Sequence, residues 1–185
     1  MNTSLQTIPR SPRNRKFLTP ALPVLYAKTV EDATVDVCAV AKENRMSSIY
    51  LVGSLRNPKI PQVANILREA GHDVFDDWFS PGPNCDDEWK NYESLRGRGY
   101  LEALKGFHAE HQFEFDRRHI HNADVGVLIA PAGRSAHLEL GYMIGRGQRG
   151  YILLEGEPDP SRWDLMYKFA HGIALDIEQL QEMVK

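Results

Sequence analysis

The sequence has little of several features that would assign a chain to a special class. Its two cysteines, Cys38 and Cys85, form no CxxC or other metal-binding spacing. No apolar run approaches the ~20 residues of a membrane-spanning helix, and the chain does not begin with the apolar stretch of a signal peptide. The formal net charge of -3 implies no general attraction to nucleic acid or to an anionic membrane. These absences favour a cytoplasmic globular protein with both thiols free.

Familiar motifs for cofactors and catalysis are also missing. There is no GxGxxG fingerprint, no Walker loop and no GxSxG nucleophile elbow. His108 and His111 are three residues apart, whereas zinc-binding helices of the HExxH type place their histidines four apart. We therefore predict that the protein uses no metal and no organic cofactor.

Three regions are predicted along the chain. Residues 1–20 hold four basic residues, three prolines and no acid, which is typical of a disordered basic tail. This tail is the chain's only signal for nucleic-acid contact, and an unstructured leader is the simpler interpretation. Residues 21–46 form a predicted helical extension, since apolar residues recur at helical spacing within 29–45. Residues 47–185 form a single α/β domain with a long insertion at 76–99.

Apolar runs alternate with amphipathic segments throughout this domain. The predicted strands are 49–52, 72–75, 123–130, 151–154 and 172–175, and the predicted helices are 61–70, 100–121, 135–145, 163–169 and 177–184. Such alternation implies parallel strands joined by right-handed crossovers. We predict a flavodoxin-like or Rossmann-like doubly wound sheet of about five parallel strands. Ligands of such sheets bind beyond the carboxyl ends of the strands, so the loops that follow the strands are the candidate site.

The loop after the first strand reads Gly53-Ser54-Leu55-Arg56. Gly53 lets the backbone approach a ligand closely. Ser54 offers a hydroxyl, and Arg56 offers a forked cation suited to phosphate. On spacing alone, an ordinary turn with a surface arginine is an equal interpretation.

The loop after the most apolar strand leads into a helix that carries Glu139. Ser135 is predicted to cap this helix, whose dipole then helps to keep the Glu139 carboxylate ionised. An ionised carboxylate is the nucleophile that a retaining glycosyl transfer needs. A surface glutamate near a helix start is the alternative interpretation.

The segments IYLVGSLR, ADVGVLIAP and SAHLELGYMIGRG together resemble the nucleoside 2-deoxyribosyltransferase family. The likeness is closest to its 2'-deoxynucleoside 5'-monophosphate N-glycosidases, and it covers about residues 48–175 apart from most of 78–118. The resemblance implies that Glu139, followed by Gly141, is the nucleophile. It also implies that Tyr50 orients Glu139 and that Asp124 assists proton delivery to the leaving base.

The resemblance further implies how the substrate is held. Gly53, Ser54 and Arg56 match a loop that binds the 5'-phosphate in the monophosphate-cleaving branch. That branch carries a serine where this chain has Gly133, and the neighbouring Arg134 and Ser135 are substitute ligands.

Within the insertion, Asp77 and Trp78 are predicted to contact the substrate, with the aromatic side chains stacking on the base. An equal interpretation is that these aromatics anchor a long loop to the core.

The predicted reaction is cleavage of, or base exchange at, the N-glycosidic bond of a (deoxy)nucleoside, preferably a 5'-monophosphate. The resemblance also implies a homodimer or larger assembly. Two alternatives stay open: a non-catalytic nucleotide-binding module, and a different N-glycosidic hydrolase of the phosphoribohydrolase or NAD-cleaving type. The run PAGRSA differs from the PGGxGT of cytokinin-activating phosphoribohydrolases, which disfavours that type.

Overall fold

The computed structural model describes residues 46–185. Within them, strands and helices alternate along the chain. The strands are β1 (Ser48–Val52), β2 (Asp73–Phe75), β3 (Val125–Ile129), β4 (Arg149–Leu153) and β5 (Gly172–Ala174). The α-helices are α1 (Ile60–Glu69), α2 (Cys85–Leu95), α3 (Tyr100–Ala103), α4 (Phe107–Asn122), α5 (Arg134–Gly145) and α6 (Ile177–Val184). Short 3₁₀ helices span Asp77–Phe79, Pro160–Arg162 and Leu165–Phe169.

The five strands form one parallel sheet in the order β2-β1-β3-β4-β5. This is the flavodoxin-like order, and it confirms the fold predicted from the alternation of strands and helices. The chain leaves β1 toward β2 on one side and returns to β3 on the other. The carboxyl ends of β1 and β3 therefore flank the point at which the winding direction reverses, where doubly wound sheets bind ligands.

Helices cover both faces of the sheet. Alternate strand residues point to opposite faces, so that Ile49 and Leu51 join one core cluster while Tyr50 and Val52 join the other. The first cluster is completed by α1 and α6, and the second by α4 and α5. Tyr50 and α5 consequently share one layer of the molecule.

Two glycines bring α5 close to the sheet. Gly126 of β3 lies in register with Tyr50 on one side and with Gly150 of β4 on the other. A Cβ atom on Gly126 would lie 2.6 Å from the Sδ atom of Met143, and one on Gly150 would lie 2.5 Å from Cγ1 of Ile144. A larger residue at either position would require these side chains, or the helix that carries Glu139, to shift.

Local sequence signals account for several helix ends. Pro61 lies in the first turn of α1, where a missing N–H costs nothing. Gly71 follows that helix with a φ of 95°, a conformation that favours glycine. At α6 the Asp176 side chain accepts a hydrogen bond from the N–H of Gln179 at 2.8 Å, which caps the helix.

The region 76–99 is more ordered than the sequence suggests. It contains the 3₁₀ helix Asp77–Phe79 and the whole of α2. Only Glu93 of α2 is buried, where it pairs with Arg98 and Arg96. Helices are predicted from a sequence by their apolar stripe. A helix whose single buried residue is charged has no such stripe, so the sequence did not predict it.

Two predicted helices differ in detail. The helix expected over 100–121 is divided into α3 and α4, because Gly106 adopts an extended conformation with φ -74° and ψ 151°. The helix expected over 163–169 is instead the 3₁₀ helix Leu165–Phe169, in which Asp164 accepts a hydrogen bond from the N–H of Met166.

The predicted basic tail (1–20) lies outside the described residues. The predicted extension (21–46), with its helix at 29–45, also lies outside the described residues, except for Met46. Met46 precedes β1 and belongs to no helix. Among the residues that the structure describes, no helix is both long enough and apolar enough to cross a membrane.

Candidate active site

Three loops meet at the carboxyl edge of the sheet. They follow β2, β1 and β3, which are neighbours in the sheet order. These loops hold all the predicted substrate contacts. Asp77 and Trp78 follow β2, Gly53, Ser54 and Arg56 follow β1, and Gly133, Arg134 and Ser135 follow β3. The fold therefore places these separate segments along one edge.

Beside this edge, two carboxyl groups and a phenol interact. Glu139 is the sixth residue of α5, Asp116 lies in the middle of α4 and Tyr50 is at the centre of β1. Burial raises the pKa of both the Tyr50 phenol and Glu139; the charges of Glu139 and Asp116 raise that of Tyr50 further, and the charge of Asp116 raises that of Glu139 further. The three side chains are thus close enough to influence one another's ionisation.

Glu139 is the most informative member of this cluster. Burial, and then the charge of Asp116, raise the pKa of Glu139 to about 7. The prediction that the helix dipole keeps Glu139 ionised is therefore wrong. Glu139 lies beyond the first turn, where the dipole effect has faded, and desolvation disfavours its charged form.

Tyr50 and Asp116 complete the cluster. Tyr50 is 1% exposed, and its raised pKa keeps it a neutral hydrogen-bond donor. Burial raises the pKa of Asp116, and hydrogen bonds from the Nε2 atom of Gln112 to both carboxylate oxygens, at 3.2 and 3.1 Å, oppose that rise. Asp116 was missed in the sequence, where it stands in a polar helix without a motif.

Asp124 lies elsewhere. It immediately precedes β3, its N–H donates to the carbonyl of Ser48 at 2.8 Å, and the N–H of Ser48 donates to its carboxylate at 3.3 Å. Ser48 is the first residue of β1, so Asp124 marks the amino edge of the sheet. The structure does not bring Asp124 into the cluster.

The loop after β1 is fixed to the rest of the edge. The Arg56 guanidinium lies 2.7 Å from the Asp87 carboxylate of α2, and the Arg56 N–H donates to the Ser54 hydroxyl at 3.2 Å. The buried Asn57 side chain donates to the Ala130 carbonyl at 3.3 Å and accepts from the Lys59 N–H at 3.1 Å. Asn57 therefore ties this loop to the end of β3.

Trp78 is anchored beside the same loop. Its indole N–H donates to the Leu51 carbonyl at 2.7 Å, and its ring would lie 3.6 Å from a Cβ atom on Gly53. It also packs against both core clusters. These contacts support the interpretation that this aromatic residue anchors the segment, while Asp77 beside it is exposed.

The start of α5 differs from the prediction. Gly133 is the N-cap and makes no side-chain capping bond, so the predicted cap, Ser135, is instead the second helical residue. Arg134 and Ser135 are both exposed. His137, which sequence reasoning passed over, links the Gly133 carbonyl, 2.7 Å from Nδ1, to the Tyr167 hydroxyl, 2.9 Å from Nε2.

The described surface also has two open grooves, and neither includes Glu139 or Asp116 in its lining. One of about 820 Å³ runs between α5 and the 3₁₀ helix Leu165–Phe169, and one of about 940 Å³ lies beyond the ends of β4 and β5. Both contain Tyr167. Since an acid-base reaction needs ionisable groups with shifted pKa values, we assign the candidate site to the Glu139 cluster.

These features define a doubly wound α/β domain with a carboxylate pair beside the switch point of its sheet. A solved structure of a 2-deoxyribosyltransferase from Bacillus psychrosaccharolyticus is similar to this chain, with a TM-score of 0.50 and 19% sequence identity. The match covers 73% of this chain and 90% of that one, and it establishes a shared fold. No protein-family model matches this chain, and no curated protein does so.

Proposed function

We propose that the protein is an enzyme that breaks the N-glycosidic bond of a (deoxy)nucleoside through a covalent glycosyl-Glu139 intermediate. The observation that carries this proposal is the cluster of Glu139, Asp116 and Tyr50, in which burial and then neighbouring carboxylate charge raise the pKa of Glu139 and of Tyr50 beside the switch point. The fold shared with an enzyme named a 2-deoxyribosyltransferase supports the same reaction class.

In the first step, the Glu139 carboxylate attacks the anomeric carbon of the sugar. A C–O bond forms as the C–N bond to the base breaks, and the bonding electron pair leaves with the base. A proton from Asp116 neutralises the departing base. In the second step, water or another base attacks the same carbon, the C–O bond to Glu139 breaks, and the proton that the attacking group loses returns to Asp116.

The two carboxyl groups can divide this work because desolvation disfavours the charged form of each, and the charge of Asp116 acts on Glu139. Like charges disfavour simultaneous ionisation, so a pair of this kind holds one proton over a range of pH. The productive form has that proton on Asp116 and the charge on Glu139, so the proton that the raised pKa favours on Glu139 must pass to Asp116 when the substrate binds. We accordingly assign to Asp116 the donor role that the resemblance suggested for Asp124.

Tyr50 is proposed to orient the nucleophile. A phenol with a raised pKa stays protonated and is available to donate a charge-assisted hydrogen bond to a carboxylate. Its stacking on Phe75, with ring centroids 5.4 Å apart, holds the Tyr50 ring within the core.

Whether the substrate carries a 5'-phosphate depends on the loop after β1. The resemblance predicts that Ser54 and Arg56 bind that phosphate, and this requires Arg56 to exchange its ion pair with Asp87 for one with the substrate. We therefore propose a (deoxy)nucleoside as the substrate class without requiring the phosphate.

The test is release of free base, measured by chromatography, from ribo- and deoxynucleosides and their 5'-monophosphates, with and without a second base. We expect the wild type to release base from at least one of these compounds. Glu139→Gln should lose at least about a hundredfold in rate, because it removes the nucleophile. Transfer to the second base marks a transferase, and release without transfer marks a hydrolase.

Glu178→Gln is the matched control, because Glu178 is an exposed residue of α6 on the opposite face of the sheet. It should retain the wild-type rate. Full activity in Glu139→Gln would remove Glu139 from the chemistry. If no compound releases base while nucleotides still bind, the non-catalytic binding module replaces this proposal.

A further inference from the structure

Both cations of the loop after β1 are already paired with carboxylates. The Nη2 atom of Arg56 lies 2.7 Å from the Oδ2 atom of Asp87, at the start of α2. Lys59 forms an ion pair with Glu155, which follows β4. A phosphate arriving at this loop therefore meets no unpaired cation between residues 53 and 59.

Asp87 is well placed to act as the ion-pair partner of Arg56. It belongs to a helix with three acids in its first turn, and its second oxygen receives a hydrogen bond from Lys90 at 2.9 Å. Lys90 and Arg56 hold the pKa of Asp87 below its usual range. Asp87 is therefore charged at neutral pH.

The loops around Arg56 are rich in acids. The segments after β2 and β4 and the first turn of α2 contribute Asp76, Asp77, Asp86, Asp87, Glu88, Glu155, Glu157, Asp159 and Asp164. The bases beside them are Arg56, Lys59, Lys90, Arg134, Arg162 and Lys168, and Arg68 pairs with Asp76. The remaining excess of acids disfavours anions relative to neutral solutes.

We infer that Asp87 is a specificity-determining residue, which occupies Arg56 and so favours uncharged nucleosides over their 5'-monophosphates. This inference rests on the proposed function. A 5'-phosphate gains Arg56 only by displacing Asp87, and the freed carboxylate then stands beside the bound anion. An uncharged 5'-hydroxyl requires neither change.

The inference is tested by the ratio of kcat/KM for a 5'-monophosphate to kcat/KM for its nucleoside. We expect this ratio to lie below one in the wild type. Asp87→Asn should raise it about two- to fivefold, which is the range that exposed ion pairs contribute. Adding Arg56→Gln to Asp87→Asn should remove that gain, because the phosphate then has no cation to reach.

Asp86→Asn is the matched control. It removes the same charge from the same helical turn, and none of the described ion pairs involves Asp86. The ratio should change less in this variant than in Asp87→Asn. If the ratio rose equally in Asp86→Asn and Asp87→Asn, the effect would be one of net charge and the inference would be overturned. A tenfold preference of the wild type for monophosphates would also overturn it.

If the wild type releases no base at all, the proposed function fails, and the inference is tested by ligand binding instead. Calorimetric titration would compare the four 2'-deoxynucleosides with their 5'-monophosphates. Tighter monophosphate binding in Asp87→Asn, with nucleoside binding unaltered, would support Asp87 as the discriminating residue. Equal affinities in wild type and variant would overturn it.

Discussion

At the scale of single residues, Glu139 and Asp116 must be in different protonation states for the proposed reaction. Burial raises the pKa of both groups, and the charge of Asp116 raises that of Glu139 further. The two ionisations then belong to the pair and not to either residue. The pair loses its first proton at a lower pH, and it loses its second with a pKa of about 7. Between these values one proton is shared, and the reactive form exists only there.

The pH dependence of kcat/KM follows from that shared proton. We expect activity to fall about tenfold per pH unit above pH 7, because both groups are then ionised and the donor is lost. The profile should also fall in acid, where both groups are protonated and the nucleophile is lost. Initial rates of base release from pH 4 to pH 9 measure it.

Asp116→Asn provides the contrast for this profile. It removes the donor, so the rate falls, and it removes the charge that raises the pKa of Glu139. The alkaline fall should disappear, and the acid limb should keep its position, because Asp116 is protonated and uncharged on that limb in the wild type. An unchanged alkaline limb in this variant would assign that ionisation to another group.

The raised pKa of Glu139 also predicts a cost in stability. Its ordinary value is 4.5 and its value in the folded protein is about 7. Stability is therefore lost as the pH rises from 4.5 through 7, and the full cost, roughly 3 kcal/mol in the free energy of unfolding, is present above pH 7. Glu139→Gln should recover much of this at pH 8 and none of it at pH 4.

Urea unfolding of wild type and Glu139→Gln at the two pH values measures the difference. Glu178→Gln, which alters an exposed carboxylate in the first turn of α6, should change the free energy by less than about 1 kcal/mol at both. A variant that is less stable than wild type at pH 8 would show that the charged Glu139 is satisfied in the fold. The expected result is a gain in stability with a loss of activity, which is common at catalytic sites.

At the scale of helices and strands, the position of α5 depends on the two glycines beneath it. Gly126 lies beside Tyr50 in the sheet and under Met143 of the helix. Gly126→Ala should lower the free energy of unfolding by about 1–3 kcal/mol, because the added methyl overfills a packed core. It should also lower kcat more than it changes KM, since Glu139 moves away from Tyr50.

Gly145→Ala is the control for this variant. It lies at the end of the same helix, where a Cβ atom would meet nothing within 4 Å. Its stability should be equal to or above that of the wild type. If space is the cause, shortening the opposing side chain by Met143→Val should restore part of the activity of Gly126→Ala. No recovery in the double variant would point to the glycine backbone instead.

At the scale of the whole molecule, the fold could be predicted from the sequence more completely than the site. Strand β3 is a continuous apolar run, which is typical of a strand covered on both faces, and α6 has the predicted bounds. The polar helix α2 offered no such pattern. The break between α3 and α4 depends on Gly106, which is packed against Arg98 and the Ala103 carbonyl.

The site required knowledge of which residues meet in three dimensions. Glu139 and the loop after β1 were named because they follow strongly apolar strands, and Tyr50 and Asp124 were named from the resemblance alone. Asp124 precedes its strand and so lies at the other edge of the sheet. Asp116 lies within a polar helix, and only the packing of α4 on the sheet brings it to Glu139.

Two predictions about the whole molecule stay predictions. One is the homodimer or larger assembly that the resemblance implies, which sedimentation would measure as a mass. The other is the cytoplasmic location favoured by the scarcity of cysteine.

Trp78 gives the protein an optical signal of its own. Its indole is hydrogen-bonded to the end of β1 and lies against Gly53, so its surroundings change whenever a ligand settles on that loop. Tryptophan emission depends on such surroundings. The exposed Trp163 mainly reports solvent, and Trp89 of α2 contributes a third emission. The natural fluorescence of this chain is thus a label-free gauge of occupancy, available before any substrate has been identified.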